Sequence, residues 1–242
     1  MEPMLIAANW KMYKTAEDSA AYFSRWRSVT PPRGREVAFF PPFTLLAQVR
    51  SLLPPGQRLG AQNLHEAAEG AFTGEVSATM LTDAGCTYVL TGHSERRHVF
   101  GEPDVRIAAK IRAAFEHGLR PILCVGETLE EREAGRTLQI VLGQLAAGLG
   151  TPVHEGGFDV AYEPVWAIGT GKVAQPKDAE EVHGAILKWL AGHGTGQDTR
   201  VLYGGSVKPA NAAALLATPG VHGLLVGGAS LDPDSFAAIA GA

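Results

Sequence analysis

A carboxylate set just before a proline, with a tryptophan and two glycines beyond it, has the makings of a proton-transfer site. Residues 161–172 read Ala-Tyr-Glu-Pro-Val-Trp-Ala-Ile-Gly-Thr-Gly-Lys. The short run of strand formers up to Tyr162 delivers Glu163 to the C-terminal end of a strand, because Pro164 cannot continue a sheet ladder. Pro164 fixes one hinge of the following loop and Gly169 and Gly171 free the other. Bulky Trp166 and Ile168 lie between them as material for a cover that excludes water. The chemistry this suits is general-base catalysis under a lid. An ordinary strand end followed by a surface loop fits the same residues.

Four other apolar runs end in residues that could assist such a base. Asn9-Trp10-Lys11 offers an amide donor and a cation, although a lysine after a strand is often simply solvated. In Thr91-Gly92-His93-Ser94-Glu95-Arg96-Arg97, Ser94 is expected to cap a short helix that carries His93 at its mouth. The positive end of that helix disfavours imidazolium, and a neutral imidazole can donate a hydrogen bond to a developing enolate oxygen. A structural, hydrogen-bonded histidine remains the alternative. No partner is spaced to make His93 a metal ligand, and no metal is expected. Glu95 is near enough to pair with Lys11, or else is a solvated carboxylate at a helix start. Tyr203-Gly204-Gly205-Ser206-Val207 and Val226-Gly227-Gly228-Ala229-Ser230 are two glycine pairs in successive loops. Their main-chain N–H groups, with the Ser206 hydroxyl, form a platform suited to phosphate, whereas either pair alone reads as a tight turn.

These groups can cooperate only if the chain brings them to one place. Its 242 residues are close to the length of a single (β/α)8 barrel. With 45% hydrophobic and 19% charged residues it can bury a full core and is neither disordered nor fibrous. A net charge of −4 argues against a broad nucleic-acid surface, so an anion site must be local. Cys86 and Cys124 both sit in apolar, strand-like runs and predict no disulfide framework. The start, Met1 to Asn9, lacks a basic leader and a long apolar stretch, which predicts a cytoplasmic protein with no membrane partner.

Eight apolar runs are expected as strands: Leu5 to Ala8, Val37 to Phe40, Arg58 to Ala61, Tyr88 to Thr91, Pro121 to Val125, Phe158 to Tyr162, Val201 to Tyr203 and Gly223 to Val226. Helical stretches between them include Ala16 to Arg27, Thr44 to Leu53, Val105 to His117, Thr137 to Leu149, Ala179 to His193, Pro209 to Ala217 and Ser235 to Ala240. Alternation of this kind implies a parallel sheet, and eight units favour closure into one α/β barrel spanning residues 1–242. Strand C-terminal ends converge on one face of such a barrel, where active sites are built. The stretch from Gln62 to Glu75 is too long for an ordinary connection. Phe72, between Gly70 and Gly74, reads as an apolar tip made to be buried, a second subunit being one candidate cover, rather than as a disordered excursion.

Taken in order, the motifs around Asn9, His93, Glu163, Gly204 and Gly227 make the chain resemble the triosephosphate isomerase family over essentially its whole length. The resemblance implies a TIM barrel and a step of glycolysis and gluconeogenesis, in which dihydroxyacetone phosphate and glyceraldehyde 3-phosphate interconvert through an enediolate. It implies Glu163 as the proton shuttle, His93 as the group that polarises the carbonyl, and Lys11 with Asn9 as fixed electrophiles. The resemblance further implies a neutral form for that histidine and a loop that closes over the glutamate base. The amides of Gly169, Gly227 and Gly228, with Ser206, would hold the phosphate. No cofactor is implied, and a homodimer is, through the loop around Thr73. Two departures are His222, where the family commonly has Asp or Asn, and Pro103-Asp104-Val105-Arg106, which lacks a common acidic, aliphatic run; they bear on local packing and salt bridges. A barrel that binds phosphosugars without catalysis needs none of the Lys11, His93 and Glu163 set. A Schiff-base enzyme needs a desolvated lysine, for which only Lys11 stands out.

Overall fold

The computed structural model describes residues 2–150, 157–167, 176–195 and 198–242. Its strands are β1 (Met4–Asn9), β2 (Arg35–Phe40), β3 (Arg58–Ala61), β4 (Tyr88–Thr91), β5 (Arg120–Val125), β6 (Asp159–Tyr162), β7 (Val201–Tyr203) and β8 (Gly223–Val226). Each pairs in parallel with its neighbours in sequence, and β1 pairs with β8, which closes the barrel. Parallel pairing requires a crossover between strands, and helices supply it on the outside.

Alternation within the strands builds two apolar layers. Leu5, Ala7, Ala38, Phe40, Ile122, Cys124, Ala161, Leu202 and Leu225 fill the interior of the barrel. Ile6, Ala8, Val37, Phe39 and Val160 belong to the larger cluster packed against the helices. At the N-terminal end of the barrel Arg200 pairs with Asp159 at 2.8 Å and with Glu36 at 2.7 Å, and also donates to the Tyr88 hydroxyl at 2.8 Å. This network ties β2, β4, β6 and the entry to β7 together on the face opposite the site.

The eight expected strands are present, four with the expected ends and the others with ends shifted by one or two residues. Helix starts moved more. The helix expected from Ala179 begins at Pro176, and the one expected from Ser235 begins at Pro233. Proline suits a first helical turn, where its missing N–H is not needed, and Asp232 caps the second helix by accepting from the Ser235 amide. The stretch expected from Thr44 is a 3-10 turn, Phe43–Leu45, leading into Leu46–Leu52. Short helices at Ala78–Asp83 and Leu129–Glu133 carry too few turns to show apolar periodicity in the sequence.

Candidate active site

Glu163 follows directly on β6, and its side chain is buried. Its backbone is tied to the exit of β5: its N–H donates to the Val125 carbonyl at 2.7 Å, and the Val165 N–H donates to the Glu127 carbonyl at 3.1 Å. One carboxylate oxygen accepts from the Ser94 amide at 2.8 Å, and the other lies 3.0 Å from Nε2 of His93.

The helix after β4 differs from its expected form. Its N-cap is His93, not Ser94: imidazole Nδ1 accepts from the Glu95 amide at 3.3 Å, while the Ser94 amide is given to Glu163. An acceptor ring nitrogen serves as a cap in the way a carboxylate or hydroxyl oxygen does. Because Nδ1 accepts, the proton of the neutral ring sits on Nε2 and points at Glu163. Asn9 Nδ2 lies 3.2 Å from the same nitrogen. The orientation of that amide is fixed, since Asn9 Oδ1 accepts from the Lys11 N–H at 3.0 Å. Two N–H donors, from His93 and Asn9, therefore converge at one place.

Burial opposes both charges in the Glu163–His93 pair, but each group's attraction for the other prevails. His93 is held above the usual imidazole range and Glu163 below the usual carboxylate range. The helix end alone was expected to keep His93 neutral; in this arrangement the facing carboxylate outweighs it.

Lys11 adopts a left-handed backbone with φ of 51°, a conformation that costs a non-glycine residue about 1–2 kcal/mol. Three contacts hold it there: Asn9 on its N–H, Gln62 Nε2 on its carbonyl at 2.8 Å, and Glu95 on its ammonium at 2.6 Å. The pairing of Glu95 with Lys11 is thus present. These groups face a cavity of about 580 Å³ whose opposite wall is Gly204, Gly205, Ser206, Gly227 and Gly228. The loops after β1, β4, β6, β7 and β8 therefore share one opening. Gly169, Gly171, Ile168 and Thr170, expected in the cover and its far hinge, lie outside the described residues.

Glu127 was not singled out in the sequence. It is buried just beyond β5, accepts from Trp166 Nε1 at 2.9 Å and from the Tyr162 hydroxyl at 3.2 Å, and lies 3.6 Å from Arg132. The Arg132 guanidinium also stacks on the Trp166 ring, 4.5 Å from its centroid. The signal that could have found Glu127 is the one used elsewhere, an ionisable residue immediately past a strand. Of the two departures, Asp104 pairs with Arg97 at 2.5 Å, so that stretch does supply a salt bridge. His222 is partly buried and accepts from the Val201 amide at 3.3 Å. Burial lowers its pKa, with the Asp159 charge acting against the shift.

The family model described as triosephosphate isomerase matches residues 4–242. Proteins named triosephosphate isomerase are similar over nearly the same span. One from Aquifex aeolicus is 52% identical over 241 residues, covering 97% of each chain. One from Symbiobacterium thermophilum is 50% identical over 254 residues, covering 100% of this chain and 97% of its own. One from Thermus thermophilus is 47% identical over 245 residues, covering 99% of this chain and 98% of its own.

Proposed function

The chain belongs to the triosephosphate isomerase family and interconverts dihydroxyacetone phosphate and D-glyceraldehyde 3-phosphate, and we propose that Glu163, His93, Lys11 and Asn9 carry the reaction in one barrel spanning residues 1–242. The observation that supports these roles is the meeting of a buried carboxylate, an imidazole Nε2–H 3.0 Å from it, and the Asn9 amide on a cavity that Lys11 also lines.

A carbonyl oxygen placed between Glu163 and His93 takes over the Nε2–H and the Asn9 amide. Glu163 then loses the partner that depresses its pKa but keeps its burial, so it becomes a stronger base. It removes the proton from the carbon beside the carbonyl. The C–H electron pair forms the new carbon–carbon double bond, and the carbonyl π pair moves to oxygen as an enediolate. His93, Asn9 and the Lys11 ammonium stabilise that oxyanion. His93 relays a proton between the two oxygens, and Glu163 returns its proton to the neighbouring carbon. Ser206 and the amides of Gly227 and Gly228 are assigned to the phosphate, and Glu95 to holding Lys11 in place. A coupled assay with glyceraldehyde 3-phosphate tests substrate and reaction together: turnover without added metal or cofactor is expected, and its absence in folded protein overturns the reading.

Exposed apolar surface supports a proposal for the assembly. Phe72, at the tip of the 62–75 loop beside Thr73, is 47% exposed, with its ring centroid 4.1 Å from that of His65. A second cavity of about 210 Å³ beside Lys11 is lined by Met12, Phe43 and Phe100, and all three are exposed. A projecting apolar tip and an apolar receptacle on one chain are the two halves of a self-complementary contact. We therefore assign a homodimer in which each Thr73 loop docks beside the other subunit's site. A charged triose phosphate does not cross a lipid bilayer unaided, and no described helix is long and apolar enough to span one; both facts suit a cytoplasmic enzyme.

A further inference from the structure

Gly126 and Gln144 stand behind the catalytic base, outside the set of residues that face the cavity. Gly126 is buried between β5 and Glu127. On one side it lies so close to Glu163 that an added Cβ would sit 1.7 Å from the Glu163 carbonyl oxygen. On the other side Gln144, from the helix Thr137–Leu149, grips the same residue twice. Its Oε1 accepts from the Gly126 N–H at 2.8 Å, and its Nε2 donates to the Gly126 carbonyl at 3.2 Å. A side-chain amide offers an acceptor and a donor in one rigid plane, which matches the N–H and C=O of a buried residue that has left its strand ladder.

We propose that Gln144 is a positioning residue for the isomerase reaction, fixing the Gly126 backbone against which the main chain of Glu163 is seated. The linkage is continuous. Residues 125 and 127 accept the N–H groups of Glu163 and Val165, so the segment between them cannot shift without carrying the base. Without Gln144, the Gly126 N–H and C=O must find other partners in a buried setting, and the seat of Glu163 relaxes with them. Because Lys11, Ser206 and Gly228 are held by other loops, the effect falls on proton transfer rather than on substrate binding.

This inference rests on the isomerase reading, and the test separates the two. Steady-state kcat and KM with glyceraldehyde 3-phosphate, inhibition by inorganic phosphate, and thermal melts are measured for the wild type, Gln144→Leu and Gln144→Glu. Gln144→Leu is expected to lower kcat by about 10- to 100-fold, as a misplacement of a few tenths of an ångström up to about 1 Å does. KM and the phosphate inhibition constant should change by less than about twofold. In Gln144→Glu the carboxylate accepts from the Gly126 N–H but opposes its carbonyl, whereas the protonated acid regains the donor. The ratio of variant to wild-type kcat should therefore rise as pH is lowered from about 7 to about 4, through the carboxyl range. If Gln144→Leu does not fold, the pH course of Gln144→Glu decides alone. Near-wild-type kcat in the folded variants at every pH overturns the proposal, as does a loss of kcat that tracks phosphate affinity or melting temperature. An inactive, folded wild type would instead defeat the isomerase reading.

Discussion

Replacing Gly126 with alanine puts a methyl group where the structure has none to spare. The added Cβ would stand 1.7 Å from the Glu163 carbonyl oxygen, half of the 3.4 Å at which ordinary contact begins, so the two backbones must part by a further 1.7 Å. Neither side yields freely, since the N–H groups of Glu163 and Val165 bind Val125 and Glu127, and Gln144 holds Gly126 from behind. Shared equally, the separation moves Glu163 by a little under 1 Å. Displacement of about 1 Å costs on the order of 100-fold in rate, or about 2.7 kcal/mol in the activation barrier. Stability should fall as well, by about 1–3 kcal/mol for an overpacked buried site. The expected result in the coupled assay is a kcat about 100-fold down with KM changed by less than about twofold, because the phosphate end of the cavity is untouched. A Gly126→Ala protein with near-wild-type kcat would refute the claim that this contact seats the base.

Three further outcomes are expected. Lys11→Met removes the ammonium that Glu95 holds at the cavity and should lower kcat/KM by about 100- to 1000-fold, measured in the same assay, as loss of an oxyanion donor does. Burial pushes the His183 imidazole down to about 4, with the Gly220 carbonyl working the other way. The unfolded chain then binds the extra proton first as pH falls, so this stability is complete above about pH 6.5 and lost toward pH 4. Urea unfolding should show about 2 kcal/mol less stability at pH 5 than at pH 7 from this group, a slope that His183→Gln removes. Finally, Phe72→Glu places a charge on the proposed docking tip; sedimentation should show a dimer for the wild type and a shift to monomer with reduced activity for the variant.

What the sequence made legible follows from the range of the interactions involved. All eight strands could be read because each is a short apolar run closed by a turn or a polar residue, and strands β3, β4, β7 and β8 have the expected ends. The convergence of Asn9, Lys11, His93, Glu163 and the glycine pairs needed only the rule that parallel strand ends share a face. Contacts between residues distant in the chain were harder to see. Gln144 reaching Gly126, Gln62 reaching the Lys11 carbonyl, and Glu127 gathering Tyr162, Trp166 and Arg132 leave no periodic trace. The cap at His93 was missed because serine is the commoner cap, while the actual choice depends on Glu163 claiming the Ser94 amide across 69 positions of sequence. His222 drew notice as the unusual residue, yet the more strongly shifted histidine is His183, whose complete burial follows only from the packing of its helix.

The most direct test of the site is Glu163→Gln, which keeps the shape and one acceptor oxygen while removing the ability to accept a proton at neutral pH. Turnover of glyceraldehyde 3-phosphate and inhibition by inorganic phosphate should be measured side by side with the wild type. A kcat lower by about 1000-fold or more is expected, toward the upper range for loss of a general base, with phosphate inhibition kept within a few-fold. A folded Glu163→Gln protein that turns over at near the wild-type rate would contradict it.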